Sequence, residues 1–159
     1  MPRASGFLDR LAVLIATVGG VGWAPLASGT VASLVTVVFL AFVPFSRAGL
    51  IAFLLVVVVV GTWAAHLAER VIGGKDPHAI VIDEVAGMTL SVIAFPLPLT
   101  PEVLAAGLAL FRLFDVIKPP PARESQKIKG GVGVMIDDLI AGLYALAIIA
   151  VSRRIFGWP

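Results

Sequence analysis

The apolar run Ala48–Ala65 contains no charged residue and is rich in Val and Leu. A run of this length can cross the hydrocarbon core of a bilayer as one helix. The rest of the 159-residue chain agrees, since its mean hydropathy is +1.04, 59% of its residues are hydrophobic and only 14% are charged. A soluble all-helical protein with a rich core is the alternative, but it needs more polar surface than this composition supplies. The sequence therefore predicts an all-α, integral membrane bundle of helices.

Turn signals divide the chain into about five spanning or partly spanning helices, all within a single domain over residues 1–159. The predicted spans are Thr30–Phe45, Ala48–Ala65, Ala79–Phe95, Val103–Ile117 and Val134–Val151. An amphipathic, interfacial helix is predicted before them at Phe7–Val18. The apolar stretch Leu11–Gly22 is also compatible with a signal peptide. Its glycines, and the lack of a small-residue cleavage site after it, argue against cleavage.

The predicted turns place the charges asymmetrically. Three regions carry most of the cations: the N-terminal segment, the loop around Lys75 and the loop around Lys118. They hold nine of the twelve Lys and Arg residues: Arg3, Arg10, Arg70, Lys75, Arg112, Lys118, Arg123, Lys127 and Lys129. The positive-inside rule assigns this side to the cytoplasm. Of the acids, only Glu102 falls on the far side. Any chemistry is therefore expected at the cytoplasmic face.

Two acidic pairs lie at the starts of predicted spans: Asp83-Glu84 near the start of the third, and Asp137-Asp138 in the first turn of the fifth. Burying adjacent carboxylates is costly unless a cation compensates them. We expect all four to be metal ligands or catalytic groups of one site. Oxygen ligands without cysteine, and with only two histidines, suit Mg²⁺ better than zinc. The alternative is that each pair merely caps a helix N-terminus, where the helix dipole favours anions.

Three charged residues end the fourth predicted helix. Arg112 and Asp115 are three residues apart and share a face, as do Asp115 and Lys118. We expect Arg112 and Lys118 to bind a phosphate, with Asp115 as a further catalytic or ligand group or as the residue that orients Arg112. The alternative is an ordinary cationic helix end that reaches toward lipid headgroups.

A glycine- and proline-rich stretch leads into the first predicted span at Gly29 and Thr30. Free backbone N–H groups at a helix start can bind an anion, so these two residues are candidate phosphate contacts. The stretch lacks the pattern of a nucleotide-binding P-loop. It is also compatible with a plain helix cap after a loop. In the polar loop, Asp76 and His78 are further candidates, although a solvated loop histidine is the simpler interpretation.

Four stretches together resemble the phosphatidylglycerophosphatase A family. They are Gly22–Thr30, Asp76–Met88, Phe111–Pro119 and Gly130–Gly142, and they occur in the family's order. Ser28, Ala32 and Ala122 depart from the residues usual in the family. The resemblance implies an integral, all-helical, Mg²⁺-dependent lipid phosphatase of the bacterial inner membrane. Such an enzyme converts phosphatidylglycerophosphate to phosphatidylglycerol, with the bilayer as its surroundings and no nucleic-acid partner.

Several alternatives stay open at this point. Water activated at the metal can attack phosphorus, or an aspartate can form a covalent phosphoenzyme. A small ion transporter or channel would also place acids in a membrane protein. A CDP-alcohol phosphotransferase would use helix-borne acids too, but its Asp-x-x-Asp-Gly-x-x-Ala-Arg signature is absent from the sequence. The number of metal ions and the oligomeric state are not indicated by the residues.

Overall fold

The structure, a computed structural model, describes residues 6–74, 77–125 and 127–157. Every regular element within these ranges is helical, which confirms the all-α prediction. A short 3₁₀ turn, Val21–Trp23, lies between the first two α-helices. The α-helices are α1 (Phe7–Ala16), α2 (Ser28–Phe42), α3 (Arg47–Ile72), α4 (Ile82–Val92), α5 (Pro101–Ile117), α6 (Ala122–Ser125) and α7 (Gly131–Phe156).

Two of the described helices, α3 and α7, are long and apolar enough to cross a membrane, judged by length and composition. Each has 26 residues, and α2 is apolar but shorter, with 15 residues. At 1.5 Å per residue, the two long helices extend about 39 Å, whereas a hydrocarbon core is about 30 Å thick.

Helix starts follow from local side chains at two of the predicted turns. The Ser46 hydroxyl accepts a hydrogen bond from the Gly49 N–H at 3.0 Å and caps α3. Thr100 caps α5 in the same way through the Val103 N–H at 3.4 Å, and Pro101 occupies the first helical position. Proline is suited to that position because its missing N–H would have no partner there. The turns expected near Ser46 and Pro101 are thus confirmed.

Helix α4 forms the centre of the bundle. It packs against α2, α3, α5 and α7, and nine of its 11 residues are buried. The polar groups just beyond its C-terminal end are satisfied by Arg47, whose guanidinium donates hydrogen bonds to the carbonyls of Ile93 and Phe95. This position of α4 fixes its first turn, which carries Asp83 and Glu84, relative to all the helices around it.

Two glycines, Gly87 and Gly142, bring α4 and α7 into close contact. A Cβ added at Gly142 would lie 2.5 Å from the carbonyl oxygen of Gly87. One added at Gly87 would lie 2.4 Å from the Phe111 ring and 2.7 Å from the carbonyl oxygen of Asp138. The two backbones are therefore in direct contact. This contact fixes how far along the helix axes one acidic pair lies from the other.

Replacing Gly142 with Ala is expected to destabilise the protein by about 1–3 kcal/mol, because the new methyl group meets backbone that cannot rotate away. Thermal unfolding in detergent micelles measures this loss. Gly6→Ala is the control, since a Cβ at Gly6 would have nothing within 4 Å. Equal melting temperatures for the two variants would contradict the close contact between α4 and α7.

Several predicted boundaries were wrong. Helix α3 continues to Ile72, so His66 and Arg70 belong to a helix and not to a polar loop. The third predicted span, Ala79–Phe95, is reduced to the 11-residue α4, which rises only about 16 Å. The predicted loop 119–133 contains α6. Because α7 begins at Gly131, Asp137 and Asp138 lie in its second turn and not in its first.

Candidate active site

The charged residues singled out in the sequence line one pocket at an end of the bundle. Its cavity of about 600 Å³ lies between the segment leading into α2, the first turn of α4, the last turn of α5 and the second turn of α7. The charged part of its described lining comprises Asp83, Glu84, Arg112, Asp115, Lys118, Asp137 and Asp138. Five acids against two bases leave the lining with an excess of negative charge.

Three carboxylates of this pocket form a compact group. Asp83, Glu84 and Asp138 each offer an oxygen atom, and these atoms lie within 4.8 Å of one another. Asp83 and Asp138 are buried, with 7% and 2% of their surface exposed. In the described part of the chain, Oε2 of Glu84 and Oδ2 of Asp138 are buried and accept no hydrogen bond. Buried carboxylate oxygens in such a group are suited to a hard cation.

Asp115 holds the two cations of the pocket side by side. Its Oδ2 lies 2.6 Å from Nη1 of Arg112, and its Oδ1 lies 3.6 Å from Nζ of Lys118. Arg112 also approaches Glu84, with 3.9 Å between Nη1 and Oε1. The cations are therefore positioned next to the three carboxylates, at a place where an anionic group would interact with both.

Lys118 joins α5 to α7. It is the residue after the last turn of α5 and adopts a left-handed conformation with φ of 49°. Its ammonium group donates a hydrogen bond to Oδ2 of Asp137 at 2.5 Å. Burial lowers the pKa of Lys118, but the hydrogen bond to Asp137 and the charges of neighbouring carboxylates outweigh burial and raise the pKa above its ordinary value. Lys118 is therefore charged at neutral pH.

The start of α2 forms another wall of the pocket. Ala27, immediately before the helix, has φ of 47°, an uncommon conformation for a residue with a side chain. The hydroxyl group of Ser28 donates a hydrogen bond to the carbonyl oxygen of His78 at 2.7 Å. Gly29 lies so close to the acids that an added Cβ would be 2.1 Å from Oε1 of Glu84 and 3.0 Å from Nη1 of Arg112. The absence of a side chain at Gly29 makes room for the pair Glu84–Arg112.

The pocket brings together most of the residues that the sequence indicated. Gly29 and His78 line it together with the seven charged residues. Thr30 does not contribute to its lining, because Ser28 and Gly29 occupy the helix start. Asp76 lies outside the described residues. Asp137, grouped with the metal ligands from the sequence, is placed apart from the three-carboxylate group and is hydrogen bonded to Lys118.

Some lining residues were not anticipated from the sequence. Val116 and Ile80 are apolar, and Pro25 belongs to a loop. None of the three has a reactive or charged side chain that would mark it as a site residue in the sequence. Val116 could have been found from its spacing, since it follows Arg112 by four residues and shares that side of α5.

The fold and the pocket together indicate the class of protein to which this chain belongs. A helical bundle that combines clustered carboxylates with an Asp-linked Arg and Lys is suited to cleaving a phosphate ester. The chain belongs to the phosphatidylglycerophosphatase A family, whose sequence model matches residues 14–153, and it is a phosphatase.

Individual relatives support this assignment. A protein of Bacteroides thetaiotaomicron named "Putative phosphatidylinositol-3-phosphatase" is 38% identical over 154 residues, which cover 92% of this chain and 96% of that protein. The phosphatidylglycerophosphatase A of Escherichia coli is 33% identical over 86% of this chain and 80% of its own length. That of Haemophilus influenzae is 36% identical over 56% and 55% of the respective lengths. No solved structure matches this chain.

Proposed function

We propose that this protein is a Mg²⁺-dependent phosphatidylglycerophosphatase that hydrolyses phosphatidylglycerophosphate to phosphatidylglycerol and phosphate. We further propose that it is a multi-pass protein of the bacterial inner membrane, with its pocket at the cytoplasmic face. The observation that carries the proposal is the convergence of Asp83, Glu84 and Asp138 with Arg112 and Lys118 in one pocket. The names of the E. coli and H. influenzae relatives indicate the substrate.

The three clustered carboxylates fit Mg²⁺. They provide hard oxygen ligands, and the buried oxygens of Glu84 and Asp138 accept no hydrogen bond within the described part of the chain. A bound Mg²⁺ would neutralise phosphate charge and lower the pKa of a water molecule. Asp137 is assigned here to fixing Lys118, because its hydrogen bond directs the ammonium group into the pocket.

The cations are assigned to the substrate phosphate. Arg112 and Lys118 stabilise the oxygens of the transferring phosphoryl group, on which charge is spread in the transition state. Asp115 is placed to keep both cations in position, since it contacts each of them. The backbone N–H groups of the first turn of α2, at Ser28 and Gly29, add further donors at the pocket wall.

We assign the attack on phosphorus to water and not to an aspartate. Both mechanisms release the same products, but only the second passes through a phosphorylated protein. Single turnover of ³²P-labelled lipid followed by an acid quench separates them. Direct attack by water leaves the protein unlabelled, and label retained on the protein would identify a covalent intermediate.

Packing contacts show where the pocket lies along the apolar stretch of α3. Gly61 lies against Ile82 and Met135. Ile82 directly precedes Asp83, and Met135 lies two residues before Asp137. Gly61 is four residues before Ala65, the end of the uncharged run, a rise of about 6 Å. Two half-exposed tryptophans, Trp63 on α3 and Trp23 before α2, support a membrane interface near this level, where tryptophan is enriched. A lipid headgroup would thus reach the acids without leaving the bilayer.

The decisive measurement is phosphate release from phosphatidylglycerophosphate by purified protein in detergent, with Mg²⁺ or with EDTA. We expect activity with Mg²⁺ and a loss of at least about 100-fold with EDTA, because the clustered carboxylates alone repel a phosphate anion. Activity that survives EDTA and exhaustive dialysis would refute the metal assignment.

A parallel assay with phosphatidylinositol 3-phosphate tests the activity in the name of the B. thetaiotaomicron relative. We expect a lower kcat/KM for this lipid than for phosphatidylglycerophosphate. The reverse order would assign the chain to that second substrate. Measuring ion flux in liposomes tests the transporter alternative, which is disfavoured because the pocket acids all lie at one end of the bundle.

A further inference from the structure

An exposed apolar edge borders the charged pocket. Val116 lines the pocket, yet 72% of its surface is exposed. Leu26 lies between the lining residues Pro25 and Ala27 and is 82% exposed, more than almost any other large apolar side chain of the described chain. These two side chains belong to the segment before α2 and to the last turn of α5, and both of these elements contribute residues to the lining of the pocket.

The apolar edge continues outward along α5. Leu113 and Ile117 are half exposed. Leu113 precedes Val116 by three residues and shares its side of the helix, and Ile117 follows Leu113 by four residues on the side farther from Arg112. The same two turns direct Arg112 and Asp115 into the pocket. Helix α5 thus presents a charged side to the phosphate site and an apolar side that leads away from it.

The chemistry of the proposed substrate explains this arrangement. A phosphate monoester bound by Arg112 and Lys118 beside the buried side chains of Asp83 and Asp138 extends its organic part toward the exposed part of the lining, which includes Val116. If that part were small and polar, Leu26 and Val116 would remain exposed at a cost of about 25 cal/mol per Å². A diacylglycerol portion would instead cover them, which agrees with a chain whose two longest described helices are apolar enough to cross a membrane.

We propose that Leu26 and Val116 form a lip that binds the acyl-glycerol part of the lipid and so determines specificity for membrane-resident phosphate monoesters over water-soluble ones. This inference rests on the proposed lipid phosphatase function. It assigns a role to two residues that carry no chemically reactive group and do not contact the phosphate.

The test compares two substrates in the double variant Leu26→Ser/Val116→Ser. One is phosphatidylglycerophosphate with long acyl chains in mixed micelles, and the other is its dihexanoyl analogue, presented as monomers. The ratio of kcat/KM for the long-chain to the short-chain lipid is expected to fall about tenfold, since two apolar contacts with the chains are lost. The conservative double variant Leu26→Met/Val116→Ile should keep the wild-type ratio.

The matched control is Leu14→Ser/Val132→Ser. Both residues are exposed apolar side chains of the same types, with exposed fractions of 55% and 48%, and neither lines the pocket, so the ratio should not change. If the lip variant kept the wild-type ratio, or lost kcat/KM equally for both lipids, the proposed role of Leu26 and Val116 would be wrong. Wild-type protein that releases phosphate from neither lipid would instead refute the proposed function, so the two failures are distinguishable.

Discussion

Asp138→Asn is expected to lower kcat/KM for phosphate release by about 100- to 1,000-fold, the usual loss when one preorganised electrostatic group of an active site is removed. Asp138 is 2% exposed, and its Oδ2 is buried without a hydrogen bond in the described structure. It also shares its group with Asp83 and Glu84. The substitution keeps the shape of the side chain and removes one charge, so the loss reports the charge itself.

The same variant is expected to be more stable than wild type in EDTA. Replacing a buried carboxylate next to two others with an amide relieves repulsion and supplies two donors, a gain of about 1–3 kcal/mol. Mg²⁺ should raise the melting temperature of wild type, because it binds only the folded site, and should raise that of the variant much less. Asp9→Asn on α1, outside the pocket, is the control. Full activity in Asp138→Asn, or an undiminished response to Mg²⁺, would remove Asp138 from the site.

Gly29→Ala is expected to lower kcat/KM by about 10- to 100-fold without unfolding the protein. The added methyl group would lie 2.1 Å from Oε1 of Glu84 and 3.0 Å from Nη1 of Arg112. Both atoms are at the ends of flexible side chains, which move aside more readily than backbone. A displacement of about 1 Å in a catalytic group is enough for a loss of this size.

The stability of Gly29→Ala separates this explanation from general damage. Alanine favours a helix over glycine by about 1 kcal/mol, so the melting temperature should be unchanged or higher. Gly49→Ala, in the first turn of α3, is the matched control, because its nearest neighbour would be Oγ of Ser46 at 3.1 Å, away from the pocket. A Gly29→Ala protein with normal activity would show that Glu84 and Arg112 need not occupy their present positions.

The helices and their order followed from the sequence because apolar runs interrupted by proline and glycine leave few alternatives. The length of α4 did not. Residues Ala79–Val81 are as apolar as the helix that follows them, so hydropathy could not separate the two. Val81 is nonhelical, with φ of −142°, and its N–H donates to the carbonyl oxygen of Ala16 at 2.9 Å. A hydrogen bond between distant segments sets that boundary.

The sequence could not predict which of Asp137 and Asp138 would face the other acids. Neighbouring helical residues point about 100° apart, and either one could have faced the other acids. The contact between Gly142 and Gly87 fixes the rotation of α7 against α4. As a result Asp138 joins Asp83 and Glu84, whereas Asp137 meets Lys118.

The sequence by itself determined that this chain is helical and apolar and that most of its acids and bases lie toward one end of the bundle, because the long runs between them carry no charge. Tertiary structure alone decided which of those charges meet. The rotation of each helix and its position along its axis depend on contacts such as those of Gly29, Gly87 and Gly142. These contacts join residues far apart in the chain, so no periodic pattern in the sequence predicts them.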